Sequence, residues 1–355
     1  MRRPSGWRAW FGLALVVLLL GSVLLVGDDL APDPAPLPGP PQDAPRVVVA
    51  MGDSTISGEG AGDYEKDTNG EDGNWCHRSH HASIHQLASP TVDNTINLAC
   101  SGAPSPQVGL GDVEQYTEKS QSEQLAPIAA RNRVTAVVVA AGANDEPAFS
   151  HVLNSCVEAW TGRGEPCGDM VGPEWSERVE KMVPKLVRAL TDIRTVMKNA
   201  GYAESDYELI VQSYAAPIAT NVAPDLQDLS GCPFRSEDLR WVEETAVPVL
   251  TAGVREAAAK VDARFLDLSR AGTGHEACSS DDPRTEWFRR LAVQWNDLQH
   301  EERATHALQE SFHPNEAGHE QFGRCLGEFL NSPDRAAACL AGEDGNLHAA
   351  SSQGP

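Results

Sequence analysis

Positive charge is scarce in this chain of 355 residues: 28 Lys and Arg stand against 51 Asp and Glu, for a formal net charge of −23. Long-range repulsion therefore argues against anionic polymers such as nucleic acid, and against acidic bilayers, as docking surfaces. The same charge leaves the choice among neutral substrates open. Internal repeats are absent, which excludes a solenoid or propeller. Also missing is a clean small-x-small cleavage site directly after the one long apolar run, so simple removal of that run as a signal peptide is not written into the sequence.

The run itself is Ala9 to Gly27, nineteen residues preceded by Arg2, Arg3 and Arg8. It exceeds an ordinary signal-peptide core and just reaches the roughly 20 residues that span a bilayer. The arginines would stay on the cytoplasmic side and the remainder would be exported, either tethered or released by cleavage nearby. Residues 28–45 carry Pro at 32, 34, 36, 38, 40, 41 and 45, an extended and semi-rigid spacer. The expected organisation is a signal or membrane anchor over 1–27, a linker over 28–45, one domain over 46–340 and a disordered tail over 341–355. The tail is expected because Gly, Ser, Ala and acidic residues follow Cys339 without periodicity.

Within the domain, strand-like segments at Val47 to Met51, Thr95 to Ala99, Val134 to Ala141, Glu208 to Gln212 and Arg264 to Leu268 alternate with helix-like ones, most clearly Glu174 to Ala200 and Ser236 to Lys260. That alternation predicts an α/β fold, a mostly parallel sheet covered by helices on both faces. A final helix is expected from Glu316 to Leu330.

Four short motifs sit behind these segments. The first strand delivers Gly52-Asp53-Ser54, an exposed hydroxyl at the carboxyl end of a sheet. Thr95 to Ala99 runs into Cys100-Ser101-Gly102, Val134 to Ala141 into Gly142-Ala143-Asn144-Asp145, and Ser311-Phe312-His313-Pro314-Asn315 precedes the last helix. Each alone has a plain reading: a turn at Ser54 or Gly102, an Asx cap at Asn144, a surface histidine at 313. As an ordered set they resemble the SGNH hydrolases, the GDSL esterase and lipase family, whose Ser, Gly, Asn and His fall here on Ser54, Gly102, Asn144 and His313. The strings Gly52 to Ser54 with Gly58-Glu59-Gly60, and Asn74-Trp75-Cys76-His77-Arg78-Ser79, are similar to the secreted, disulfide-bonded branch of that family. The resemblance covers about residues 46 to 330. It implies a three-layer α/β/α sandwich on a five-stranded, flavodoxin-like sheet. Ile56 excludes the Gly-x-Ser-x-Gly elbow of the α/β-hydrolases, because the second glycine is missing.

The chemistry that follows is acyl transfer to serine. Negative charge develops on an attacked ester carbonyl, and fixed donors aimed at it each contribute a factor of about 10² to 10³. Gly102 offers a backbone N–H that a ligand can approach closely, Asn144 a side-chain amide, and Ser54 its own N–H. His313 is the expected general base. Family members usually carry Asp three residues before the histidine, and here Glu310 stands there. It is expected to orient His313, with a backbone carbonyl as the alternative.

Eight cysteines agree with export. Their order favours neighbour pairing: Cys76 with Cys100, Cys156 with Cys167, Cys232 with Cys278, Cys325 with Cys339. Zinc is the competing reading, through Cys76 and His77, His80, His81 and His85, whose spacing matches no finger pattern. Two insertions bear on substrate choice, Phe149 to Val171 and Asp281 to His306. The second brings Trp287, Phe288 and Trp295, as pocket wall or as the core face of an amphipathic helix through 288, 291 and 295. Together these point to an extracellular serine ester hydrolase, monomeric and without metal or cofactor, acting on a lipid, a small acyl ester or an acylated glycan. The alternatives are an acyltransferase with the same site and a non-catalytic surface-binding module.

Overall fold

The computed structural model describes residues 38–351 apart from 146–148, 163 and 302. The Ala9 to Gly27 run and most of the proline spacer lie outside the described residues. Among the described residues no helix is long and apolar enough to cross a membrane.

Seven strands form one sheet in the order β2-β1-β3-β4-β5-β6-β7. They are β1 Arg46–Gly52, β2 Asn94–Asn97, β3 Arg133–Ala140, β4 Glu208–Gln212, β5 Arg264–Asp267, β6 Ala336–Ala341 and β7 Leu347–Ser351. The first six pair in parallel and β7 closes the edge antiparallel to β6. β1 and β3 read as unbroken apolar runs because helices bury both faces of the sheet centre. β2 is half-exposed and polar, as an edge strand tolerates.

The helices are α1 Ser54–Ser57, α2 Ser105–Val108, α3 Gln121–Arg131, α4 Phe149–Trp160, α5 Cys167–Asn199, α6 Ser236–Trp241, α7 Val247–Lys260, α8 Trp295–Leu298 and α9 Glu316–Leu330. α3, α5 and α7 pack side by side, while α9 packs on the Ser83–His85 turn and on β6 and β7. A π turn, Val242–Ala246, separates α6 from α7 where Pro248 supplies no backbone N–H, and Trp175 Nε1 donates to the Ala246 carbonyl at 3.0 Å.

Two expectations are corrected here. The sheet has seven strands, not five, and the segment after 340 is no disordered tail up to Ser351. Its residues pair with β6 from Ala341↔Leu347 to Ala337↔Ser351, and Glu328 of α9 accepts the Ala349 N–H at 3.0 Å. One buried leucine, Leu347, followed by His348 and short Ala and Ser side chains leaves no periodic signal, and the backbone ladder needs none. Residues 281–306 likewise form no amphipathic helix. Their described residues run irregularly, with 3-10 turns at Pro283–Thr285 and Ala304–His306, one short α-helix at Trp295–Leu298 and a bridge from Phe288 to Pro314.

Candidate active site

β1 ends at Gly52, and Asp53 turns the chain into α1 by accepting the Thr55 N–H at 3.1 Å as an N-cap. Ser54 thereby becomes the first helical residue, its hydroxyl at the carboxyl edge of the sheet. His313 arrives 259 positions later in sequence, with Nε2 2.8 Å from Ser54 Oγ. Its Nδ1 lies 3.2 Å from the Ser311 carbonyl, which accepts the Nδ1–H. That bond leaves Nε2 as the acceptor for the serine proton. Burial lowers the pKa of His313 from its ordinary value, against the nearby charge of Glu59, the Ser311 carbonyl and Glu310, which favours the neutral imidazole.

Gly102 and Asn144 close on the same point from the two strands flanking β1. Beyond β2, the Cys100 N–H bonds the Gly52 carbonyl at 3.0 Å and the Cys76–Cys100 disulfide ties the turn to the Asn74–Ser79 string. Gly102 follows at φ +77°, a conformation that favours glycine. Asn144 sits in the turn after β3, with Nδ2 3.4 Å from the Ala103 carbonyl. Ser54, Gly102, Asn144 and His313 all line one cavity of about 540 Å³, whose walls are mainly apolar: Phe149, Leu153, Val157, Leu250, Phe288 and Leu291 among them.

A model of the GDSL-like lipase/acylhydrolase family matches residues 50–321. The chain belongs to that family. Lipase 2 of Streptomyces coelicolor is 24% identical over 257 residues, 71% of this chain and 79% of the relative. Phospholipase A1 from Streptomyces albidoflavus NA297 superposes with a TM-score of 0.55 at 23% identity, covering 81% of this chain and 97% of that one. The extracellular lipase from Streptomyces rimosus gives 0.51 at 20%, covering 77% and 94%. Both solved structures share the fold. As a GDSL-like acylhydrolase, the chain is a carboxylic ester hydrolase by class.

Glu310 does not stand where it was expected. Its carboxylate accepts from Tyr64 Oη at 2.7 Å and Gln294 Nε2 at 2.8 Å, and the Ser311 carbonyl takes the place on His313. The reason is geometric: the Glu310 side chain is committed to Tyr64 of the nucleophile side, leaving the ring to the backbone. The insertion aromatics divide. Phe288 lines the cavity, Trp287 stacks on His275 at 3.9 Å, and Trp295 is 67% exposed. All four sequential cysteine pairs are bonded, Cys156–Cys167 joining α4 to α5 and Cys325–Cys339 joining α9 to β6. His77, His85 and His81 go to separate partners: Glu59, Thr95, and Asp63 with Glu316.

Sequence reading missed Tyr214. Its hydroxyl donates to Asp53 Oδ2 at 2.6 Å and accepts the Ala143 N–H at 3.1 Å, joining the turn before Ser54 to the turn that carries Asn144. A tyrosine two residues beyond the end of β4, at the catalytic edge of the sheet, is the signal that could have marked it. Asp53 is fully buried, and that burial raises its pKa to about 6.

Proposed function

We propose that this protein is an exported esterase of lipase type that cleaves carboxylic esters through an acyl-enzyme on Ser54. The observation that carries the reading is the 2.8 Å approach of His313 Nε2 to Ser54 Oγ at a cavity that Gly102 and Asn144 also line. His313 takes the hydroxyl proton as Ser54 Oγ bonds the carbonyl carbon. The resulting oxyanion faces the N–H groups of Ser54 and Gly102 and the Asn144 amide. Collapse breaks the ester C–O bond, with the proton passing from His313 to the leaving alkoxide. Water, deprotonated by the same imidazole, then releases the acid.

The apolar cavity favours an ester with a hydrocarbon acyl chain over a small polar acyl group, since burying each methylene there contributes about 0.8 kcal/mol. Lipase 2 and phospholipase A1 among the similar proteins agree with a lipid ester. Export is supported by four disulfides, which persist in oxidising compartments, and by the arginine-flanked run at Ala9 to Gly27.

A fluorophosphonate probe tests the assignment. Labelling confined to Ser54, lost together with ester cleavage in Ser54→Ala, is the expected result, and full activity in that variant refutes it.

A further inference from the structure

Two strings noted in the sequence, Gly58-Glu59-Gly60 and Asn74 to Ser79, take no part in the chemistry above, yet their side chains meet behind His313. Glu59 is completely buried. His77 Nδ1 lies 2.8 Å from its Oε1 and 3.0 Å from its Oε2, and Gln309 Nε2 donates to Oε2 at 2.7 Å. Gly60, at φ +88°, presses directly on the general base: a Cβ there would stand 3.0 Å from His313 Cβ and 2.6 Å from the Pro314 carbonyl oxygen. The buried carboxylate is thus one residue removed from a backbone contact with His313. Gln309 Nε2 also donates to Ser101 Oγ at 2.8 Å, so one amide joins Glu59, the residue before Gly102 and the loop of His313.

Serine attack turns His313 into an imidazolium, and the Ser311 carbonyl that orients the ring brings no full charge to it. We propose that Glu59 is the carboxylate that supports this imidazolium, acting across Gly60 without touching the ring, with His77 and Gln309 holding it in place. The inference rests on the Ser54–His313 reading and makes Glu59 a positioning residue.

Three considerations join that geometry. Charges act over longer distances in a dry interior than in water. Glu59 keeps its pKa below the ordinary glutamate value although burial opposes this, because its hydrogen bond and charge interaction with His77 and the charge of His313 favour the anion. Among the influences that oppose the burial of His313, the Glu59 charge is the largest, ahead of Glu310. Glu310, His77 and His319 also face His313, and Arg289 borders it, donating from Nε to the Gly60 carbonyl at 2.6 Å. Around Glu59 stand Tyr64, stacked on His77 at 4.2 Å, with Tyr116, His306 and His319.

The test is a pH profile of p-nitrophenyl ester cleavage by the wild type and Glu59→Gln, with Ser54→Ala as blank. Glutamine keeps the length and one acceptor oxygen and removes the charge. The expected result is a kcat about tenfold lower, a KM within about twofold, and an acidic limb moved to lower pH, since losing a neighbouring anion weakens the base. An unmoved limb overturns the proposal, and a kcat loss with an unmoved limb marks a merely structural role. Should Glu59→Gln fail to fold, His77→Asn replaces it. Asparagine tolerates the φ of +48° at position 77 but is too short to hold Glu59, which then takes up a proton in its dry setting. The limb moves the same way, and an unmoved limb again refutes the proposal. A wild type that cleaves no ester overturns the Ser54–His313 reading itself and the inference with it, an outcome distinct from an active wild type and an unmoved limb.

Discussion

The turns that carry Ser54, Gly102 and Asn144 grow straight out of β1, β2 and β3, whereas the loop that carries His313 has no strand beneath it. On the first side the backbone does the positioning: the Asp53 N–H bonds the Ala140 carbonyl at 2.9 Å and the Cys100 N–H the Gly52 carbonyl at 3.0 Å, both continuing the sheet ladder. On the second side the backbone pairs only with another loop, the Arg289 N–H with the His313 carbonyl at 2.8 Å, and side chains reach across to add the rest, Glu310 to Tyr64 and Gln294, Gln309 to Glu59 and Ser101. A substitution on the strand-end side should therefore remove chemistry and leave geometry. On the histidine side it should loosen geometry and leave chemistry partly intact.

Ser54→Ala gives the largest effect, a loss of about 10⁴-fold or more in kcat for a p-nitrophenyl ester with the unfolding midpoint nearly unchanged. A large fall in stability would show that the strand-end side is less rigid than described. Asn144→Ala should lower kcat by about 10² to 10³ with a small change in KM, because its amide acts on charge that appears in the transition state. A loss confined to KM would make Asn144 a binding group.

Asp53 sharpens the comparison through pH. Its folded-state pKa of about 6 lies above its ordinary value, so the folded protein holds that proton more tightly than the unfolded chain. Its contribution is most favourable below about pH 4, turns unfavourable as pH rises to about 6, and is constant above, a cost on the order of 3 kcal/mol. Denaturant titrations of Asp53→Asn should lack this slope between pH 4 and 6, and an unchanged slope would assign it to another group.

Glu310→Gln gives the smallest effect. Its kcat should stay within about threefold, the acidic limb, set by a His313 pKa that burial depresses, should hardly move, and stability should fall by about 1 kcal/mol as the Tyr64 hydrogen bond weakens. A loss near 10⁴ would restore Glu310 as the partner of His313 and erase the contrast between the two sides.

The same contrast decides what could be read from sequence. β4 at Glu208–Gln212 and α9 at Glu316–Leu330 have the bounds that patterning predicts, and the other four expected strands differ by a residue or two, while β6 was not expected; buried strands must be apolar and an amphipathic helix must repeat. Ser54, Gly102 and Asn144 were legible for the same reason, each lying just past such a strand. The orientation of the Glu310 carboxylate was not legible. Sequence offset places a residue near His313 but does not say whether its side chain or a neighbouring carbonyl faces the ring. Phe288, Leu291 and Trp295 show the same limit: spacing on one helical face carried no information once the segment formed no such helix. β7 was silent because Leu347 is its one large apolar residue, and the remaining Ala and Ser give no alternation.

The hydrogen bond between Ser54 and His313 joins residues 259 positions apart. A ribosome that has made Ser54 has most of the domain still to make before His313 exists to stand beside it. On the proposed reading, ester cleavage is therefore withheld throughout synthesis and switches on last. Until residue 313 has been made and docked, the serine hydroxyl has no imidazole beside it and stays an ordinary alcohol.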